Sequence, residues 1–232
     1  MVTKRKVTIK NPDQFLKNAS TEHIKTVIQA MELERSKTAQ GKFLSFVKKV
    51  WPAFIEGTHH RIIAEKLEGI ASGKIKRLIV NMPPRHTKSE FASYLFPSWI
   101  IGQNPEAKII QTTHTAELSV NFGRKMKNLI DSEEYKQIFP KVSIAADSKA
   151  SGRWHTNRGG EYFAAGVGGA ITGRGADLLI IDDPHSEQDA LSATGMESVY
   201  EWYTSGPRQR LQPGGAIVLV MTRWSVKDLT GA

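Results

Sequence analysis

Short, unbroken apolar runs recur along the 232-residue chain, and longer stretches with helical spacing separate them. An apolar run without alternation is typical of a strand that is buried on both faces. Buried strands that alternate with helices predict a mostly parallel sheet with helices on both faces, so we predict an α/β fold. The predicted strands lie at residues 78–80, 108–113, 162–165, 176–182 and 216–221.

Apolar residues spaced three or four apart predict helices before the first strand and between the later ones. Ser20 is a suitable N-cap for the first helix, which has an apolar face. We expect a linker at residues 36–42, then two further helices, and we expect these helices to pack on the core. The apolar positions that define the predicted helices are Ile24, Val27, Ile28 and Met31, residues 43–51, Ile62, Ile63, Leu67 and Ile70, Phe91, Leu95 and Trp99, and Leu118, Phe122, Met126 and Ile130.

A loop with the chemistry of a phosphate-binding loop follows the first predicted strand. Residues 81–89 are Asn-Met-Pro-Pro-Arg-His-Thr-Lys-Ser, which places Lys88 and Ser89 at a helix start. In such loops backbone N–H groups surround nucleotide phosphates, the lysine adds positive charge and the serine hydroxyl contacts Mg2+. Met82 and Thr87, however, occupy the two glycine positions of G-x-x-x-x-G-K-[ST]. The loop alone leaves two interpretations open, a nucleotide site and an ordinary strand followed by a proline turn.

A second predicted strand ends in two adjacent carboxylates. Residues 178–181 are Leu-Leu-Ile-Ile, and Asp182, Asp183 and Pro184 follow directly. Ligands bind at the carboxyl ends of strands in open α/β sheets, and Pro184 prevents further strand pairing. A core strand followed by a solvated Asp-Asp turn would look the same in isolation. The loop and the acidic strand together predict an ATPase.

Three motifs, in order along the chain, resemble those of the large terminase subunit of tailed bacteriophages. They are Met-Pro-Pro-Arg-His-Thr-Lys-Ser-Glu at 82–90, Ile-Thr-Gly-Arg-Gly-Ala-Asp leading into Leu-Leu-Ile-Ile-Asp-Asp-Pro at 171–184, and Ala-Ile-Val-Leu-Val-Met-Thr-Arg-Trp at 216–224. The resemblance covers about residues 50–232. It implies a P-loop NTPase of the ASCE type that uses ATP and Mg2+ to drive double-stranded DNA into a procapsid.

The resemblance also implies a setting for the chain. Such motors work as homo-oligomeric rings with a portal protein and a small terminase subunit, in the cytoplasm of the infected bacterium. Large terminases normally continue into an RNase H-like nuclease domain, and this chain ends at Ala232, just after the third motif. We therefore expect a basic tail with a helical extension at residues 1–50 and the motor domain alone at residues 51–232.

The hydrolysis chemistry is assigned to the two aspartates. Asp182 is expected to hold Mg2+ together with Ser89, and Asp183 to orient or deprotonate the attacking water. Many relatives have glutamate at the second position, so Glu187 is the substitute candidate for the shorter Asp183. Two adjacent aspartates in a turn with no catalytic role are the alternative.

The loop is expected to use side chains where it lacks glycine. Thr87 in the second glycine position should either strain the loop or imply different dihedral angles. The two prolines remove N–H donors, and Arg85 can compensate by contacting phosphate oxygens, with a surface arginine as the alternative. Lys88 is expected to be exposed. The expected nucleotide contacts are Pro84, Arg85, His86, Thr87, Lys88, Ser89, Asp182 and Thr222.

Two further roles come from the resemblance. Motors of this kind need an arginine from the next subunit of the ring, and Arg174, just before the acidic strand, is preferred over Arg158. The alternative for Arg174 is a loop arginine paired with Asp177. Thr222 is expected to place a hydroxyl near the γ-phosphate and to report hydrolysis to the part of the motor that grips DNA.

Positive charge is concentrated before the phosphate loop. Residues 1–81 contain 16 Lys and Arg against 7 Asp and Glu, whereas residues 82–232 contain 16 of each. A basic lobe favours a polyanion or an acidic protein as partner, and a solvated tail is the alternative.

The chain has no cysteine and no apolar run of bilayer length, so we expect a soluble intracellular protein that has no disulfides and does not enter a membrane. We expect His59, His60 and His155 at the surface or in packing.

Three other functions stay open at this stage. A two-metal nuclease could use Asp177, Asp182, Asp183 and Glu187, but it would not need a phosphate loop. A helicase or another DNA translocase would share the chemistry of the motor. A chain with a degenerate loop could bind DNA or a portal without hydrolysing ATP.

Overall fold

The fold is built around one six-stranded sheet, and the computed structural model describes residues 20–231. The strands are β1 (Arg77–Asn81), β2 (Lys108–Thr113), β3 (Arg153–His155), β4 (Glu161–Gly166), β5 (Ala176–Asp182) and β6 (Leu211–Met221). Their order across the sheet is β1-β6-β5-β2-β4-β3. All neighbouring pairs are parallel except β3 and β4. The predicted, mostly parallel sheet is therefore confirmed.

Helices cover both faces of this sheet. They are α1 (Thr21–Gly41), α2 (Phe43–Val50), α3 (Thr58–Ala71), a π-helical turn (Glu90–Leu95) that continues into α4 (Phe96–Gln103), α5 (Ala116–Asp131), α6 (Glu133–Ile138), α7 (Glu187–Ala190), α8 (Ala193–Ser205) and a 3-10 turn (Pro207–Arg210). Successive side chains of a strand point to opposite faces. Leu178 and Ile180 of β5 accordingly join a large core with residues of α1 to α6, whereas Leu179 and Ile181 join a smaller core that includes Val199 of α8.

The strand order decides where the site forms. β6 comes last along the chain, yet it lies between the strand that precedes the loop, β1, and the strand that ends in aspartates, β5. The carboxyl ends of these three parallel strands therefore lie side by side. This arrangement brings the loop after β1 and the acidic end of β5 to the same edge of the sheet.

The first helix differs from the prediction in two respects. The N-cap is correct, because the Ser20 side chain accepts a hydrogen bond from the His23 N–H. The linker at residues 36–42 is wrong, because α1 continues to Gly41 and buries the small side chains of Ser36 and Ala39. The apolar positions Ile28 and Met31 are instead 49% and 41% exposed, so the packed part of α1 is its last part.

The helix after the loop is confirmed, although its first turn is π-helical. Phe91, Leu95 and Trp99 are all buried, as their spacing predicts. Pro97 lies inside this continuous helix, where it has no N–H to donate to the preceding turn, and the π-helical turn directly precedes it. In α5, Met126 and Ile130 are buried but Leu118 is half exposed. Strand β3 and the helices α6, α7 and α8 were not predicted.

Membrane insertion by a helix finds no support in the described part of the chain. None of the helices within residues 20–231 is long and apolar enough to cross a bilayer. The basic residues Lys4, Arg5, Lys6 and Lys10 of the expected tail lie outside the described residues.

Candidate functional site

The loop after β1 presents backbone donors at the carboxyl edge of the sheet. The N–H groups of Arg85 to Ser89 donate no hydrogen bond within the described residues, and the helix that starts at Glu90 follows directly. Unpartnered N–H groups at the start of a helix favour an anion. The loop therefore has the donors that a phosphate group requires.

Two residues of the loop have a strained backbone. Arg85 and Thr87 have φ angles of 63° and 61°, in the left-handed region that favours glycine. For a β-branched residue such as threonine this conformation is rare, and each such residue costs about 1–3 kcal/mol. Of the two outcomes expected for Thr87, the structure shows strain.

Lys88 reaches across the edge of the sheet and is not exposed, which corrects the prediction. It is 6% exposed. Its Nζ lies 2.8 Å from Asp183 Oδ2 and donates to Thr222 Oγ1 at 3.2 Å. The lysine is buried because β6 lies between the loop and Asp183, so that its side chain must pass the end of β6. Lys88, Asp183 and Thr222, predicted as separate contributors, are in direct contact.

Ser89 and Asp182, the expected Mg2+ ligands, are also brought together. Ser89 Oγ donates to Asp182 Oδ1 at 2.9 Å. Asp182 is 3% exposed, and its Oδ2 has no hydrogen-bond partner among the described residues. Burial, together with the neighbouring charge of Asp183, raises the pKa of Asp182 to about 6. A buried carboxylate with a free oxygen beside a hydroxyl fits a hard cation such as Mg2+.

A cation at this position would need ligands from elsewhere as well. Residues 20–231 contain no group of three or more histidine, aspartate or glutamate side chains placed to hold a metal ion. Mg2+ commonly keeps waters and takes substrate phosphate oxygens alongside one or two carboxylates. The residues present fit such a shared site.

Thr222 connects the ends of three strands. Its N–H donates to Asp183 Oδ1 at 2.7 Å, and its hydroxyl donates to the Met82 carbonyl at 3.3 Å. With Lys88 on the other oxygen, both carboxylate oxygens of Asp183 are engaged. Asp183 itself has a φ of 41°, a conformation that aspartate tolerates better than most residues.

Arg174 lies at the opposite edge of the sheet, before the amino end of β5. It forms an ion pair with Glu161, and its guanidinium lies 3.8 Å from the centre of the Phe163 ring. The pairing with Asp177 that was considered for it is not formed; Asp177 instead accepts the Lys108 N–H at 2.8 Å. Arg174 thus cannot serve the phosphate loop of its own chain.

The remaining candidates are exposed. Arg85 in the loop and Glu187 at the start of α7 have no side-chain hydrogen bond or ion pair within the described residues. His86 is exposed too, with Nδ1 2.9 Å from the Pro84 carbonyl. Arg158, the second choice for the arginine of a neighbouring subunit, is exposed in the turn before β4, at the same edge as Arg174.

His60 contacts the loop, which the sequence does not predict. His60, in the first turn of α3, is 5% exposed, and its Nε2 lies 2.6 Å from Thr87 Oγ1. Its ring stacks on Phe91. The expectation of a packing role is correct for His60 but incomplete. A histidine at a helix start gives no sign in the sequence of which loop it will face.

Two of the buried polar side chains, His185 and Asp228, lie in the segments that follow β5 and β6. His185 Nε2 accepts the Leu229 N–H at 3.0 Å, and burial lowers the pKa of His185. Asp228 is fully buried, and although burial opposes it, N–H donors of Trp224 and Ser225 lower the pKa of Asp228 to about 2. The bond between Leu229 and His185 holds the chain after Thr222 against the segment that follows the acidic strand, whereas the bonds to Asp228 lie within the chain after Thr222.

The two-metal nuclease considered above does not fit this geometry. Asp177 and Asp182 lie near opposite ends of β5, and five residues of strand span about 16 Å. Paired metal ions lie roughly 3.5–4 Å apart. These two carboxylates cannot share such a site.

Comparisons with known proteins add one structural likeness. No protein-family model matches the chain, and no curated protein matches it. Among solved structures, the chain is similar to the large terminase of bacteriophage HK97, with 14% sequence identity and a TM-score of 0.45. The match covers 76% of this chain and 35% of that one, so the chain spans about a third of that protein's length. A likeness at this level neither places the chain in a family nor assigns it a function.

The burial of Asp182 predicts an unusual dependence of stability on pH. Its pKa is raised from 3.8 to about 6, so it stabilises the fold when protonated and this stability is lost as the pH rises through 6. In the absence of divalent metal, Asp182→Asn should be more stable than the wild type at pH 8 by on the order of 2–3 kcal/mol, with the difference shrinking towards pH 4. Urea unfolding measures this difference. The exposed carboxylate variant Glu187→Gln is the control, and a difference that does not vary with pH would contradict the prediction.

Proposed function

We propose that the chain is the ATP-hydrolysing motor domain of a viral DNA-packaging terminase. The observation that carries the ATPase part is the meeting, at one edge of the sheet, of unpartnered loop N–H groups, buried Lys88, the Ser89–Asp182 pair and Asp183. The three ordered motifs support the DNA-packaging part. The proposed partners are double-stranded DNA, a portal protein, a small terminase subunit and further copies of the chain. A helicase would use the same site, and strand-displacement activity would distinguish it.

The residues of the site divide the proposed work between them. ATP with Mg2+ supplies the phosphoryl group and the cation that neutralises its charge. The loop N–H groups and Arg85 bind phosphate oxygens, and Ser89 and Asp182 hold the cation. Lys88 leaves Asp183 to contact the phosphates. Asp183, which keeps the Thr222 N–H, then has one oxygen free to orient water.

Replacement of Lys88 tests the proposal. Lys88→Met keeps the apolar stem but removes the charge, so ATP turnover should fall about a hundredfold or more, because the charge on the transferred phosphoryl group loses a fixed counter-ion. The matched control is Lys66→Met, at an exposed lysine of α3. ATP hydrolysis with Mg2+ is measured, and thermal unfolding is followed in parallel because Lys88 is buried. Equal turnover in both variants would exclude the phosphate-loop assignment.

The acidic residues should separate by role. Asp182→Ala should lose Mg2+-dependent ATP binding. Asp183→Asn should bind ATP and hydrolyse it about a hundredfold more slowly or worse, since the step affected is the activation of water. Single-turnover hydrolysis with saturating ATP measures this step. If Glu187→Gln is slow and Asp183→Asn is not, the water is activated by Glu187, and the ATPase proposal survives.

Arg174 is proposed to complete the site of a neighbouring copy. Its place at the amino edge of the sheet supports action between subunits, since its own loop lies at the other edge. To reach a neighbouring copy, the Arg174 guanidinium would have to break its ion pair with Glu161 or keep it while contacting the other site. The Arg174 side chain is 20% exposed. An arginine delivered in this way stabilises charge in the transition state.

Mixing of two variants tests this arginine. Arg174→Ala should bind ATP but hydrolyse it about a thousandfold more slowly. Adding Lys88→Met, which still carries Arg174, should restore some turnover in mixed rings. Arg153→Ala is the matched control, because Arg153 also pairs with Glu161 and its loss should leave turnover unchanged. No rescue, with turnover independent of protein concentration, would assign the role to Arg85 within the same chain.

A further inference from the structure

We propose that His60 is a positioning residue for the phosphate loop, and that it holds Thr87 in the left-handed conformation that glycine normally provides there. This inference rests on the proposed nucleotide-binding function of the loop. It concerns a residue on α3, 27 positions before Thr87, which none of the three motifs includes.

The hydrogen bonds around His60 fix its tautomer. The Gly57 N–H donates to His60 Nδ1 at 2.8 Å, so Nδ1 is an acceptor. A neutral imidazole then carries its proton on Nε2, which donates to Thr87 Oγ1 at 2.6 Å. The Thr87 hydroxyl in turn donates to the His86 carbonyl at 2.6 Å. A chain of three hydrogen bonds therefore runs from the start of α3 into the loop.

The surroundings of His60 hold its ring in place and keep it neutral. The ring stacks on Phe91 with 4.9 Å between centroids and meets Phe54 edge-on at 4.8 Å. Burial lowers the pKa of His60, and the adjacent His59 acts in the same direction, whereas Glu56 opposes them. A neutral, immobile ring is the form that can keep Nε2–H directed at Thr87.

Thr87 needs such a clamp because its backbone is strained. A threonine at φ 61° is stable only where its surroundings fix it. The Phe91 N–H holds the Thr87 carbonyl at 3.0 Å, and His60 holds the side chain. Glycine at position 87 would adopt the same φ without strain and would have no side chain for His60 to hold. The departure from the glycine pattern and the buried histidine are thus two parts of one arrangement.

A double-mutant cycle tests this dependence. His60→Phe keeps a ring between Phe54 and Phe91 but removes both nitrogens, and Thr87→Gly removes the strain and the hydroxyl. With Thr87 present, His60→Phe should weaken binding of a fluorescent ATP analogue with Mg2+ about five- to tenfold, the effect of one lost hydrogen bond. In the Thr87→Gly background the same substitution should change affinity less than about twofold. Loss of the Gly57 contact is common to both backgrounds and cancels.

Equal weakening in the two backgrounds would overturn the inference, because it would show that the effect of His60 does not depend on the Thr87 side chain. His60→Gln gives a second readout, since it keeps an N–H donor but not the ring. It should bind the nucleotide more tightly than His60→Phe while being less stable to heat, and the reverse order of affinities would also overturn the inference. If the wild-type chain does not bind the analogue at all, the proposed function fails and the role of His60 fails with it. If the wild-type chain binds the analogue and the effects of His60→Phe and Thr87→Gly are additive, only the role of His60 is rejected and the proposed function stands.

Discussion

The site depends on the parallel pairing of β6 with both β1 and β5. In this register Asn81 lies beside Met221, and Asp182 lies beside Val220. Neighbouring strands are about 4.8 Å apart, so with β6 between them the ends of β1 and β5 lie about 10 Å from each other. Thr222, the residue after β6, fills that gap. Lys88 can therefore reach Asp183 from the loop, and Thr222 can form hydrogen bonds with both Lys88 and Asp183.

Strained backbone and a buried, incompletely hydrogen-bonded carboxylate lie together at this edge of the sheet, and the packing of the rest of the fold must hold them in place. Within residues 20–231, three residues other than glycine have positive φ angles, and Arg85, Thr87 and Asp183 all lie at this edge. Asp182 is buried, and one of its carboxylate oxygens has no hydrogen-bond partner in the described part of the chain. Strain and poorly satisfied polar groups persist only where surrounding structure fixes them, and they cluster where proteins bind ligands. The cores on both faces of the sheet supply that support.

Much of the sheet could be predicted because its central strands are buried on both faces. The sequences before Asp182 and Thr222 are unbroken apolar runs, and such runs are typical of strands buried on both faces. Strand β3 gave no such signal, since it is three residues long at the edge and buries only Trp154. The end of α1 was missed because Ser36 and Ala39 look like linker residues until the packing that buries them is known.

The candidate site was predictable to the extent that it follows strand ends. Asp182 ends β5, Asp183 and Thr222 directly follow β5 and β6, and Ser89 ends the loop after β1. Topology alone brings residues at the carboxyl ends of parallel strands to one edge. The burial of Lys88 depends on the strand order, which periodicity does not contain. The contact of His60 depends on how α3 packs beside the loop. Contacts between elements far apart in sequence therefore set the limit of prediction.

The Lys88–Asp183 pair gives the site a charge balance that a phosphate would change. Lys88 neutralises Asp183 in a place where water has little access to the lysine, so the pair is screened less than a surface ion pair. A phosphate group close to the loop would compete for the same ammonium group. If Lys88 moved to the phosphate, Asp183 would lose its ion pair and would keep the hydrogen bond from the Thr222 N–H, which lies 2.7 Å from Oδ1. The hydrogen bonding at the end of β6 would therefore respond to an anion in the loop, because Thr222 and Lys88 share the Asp183 carboxylate.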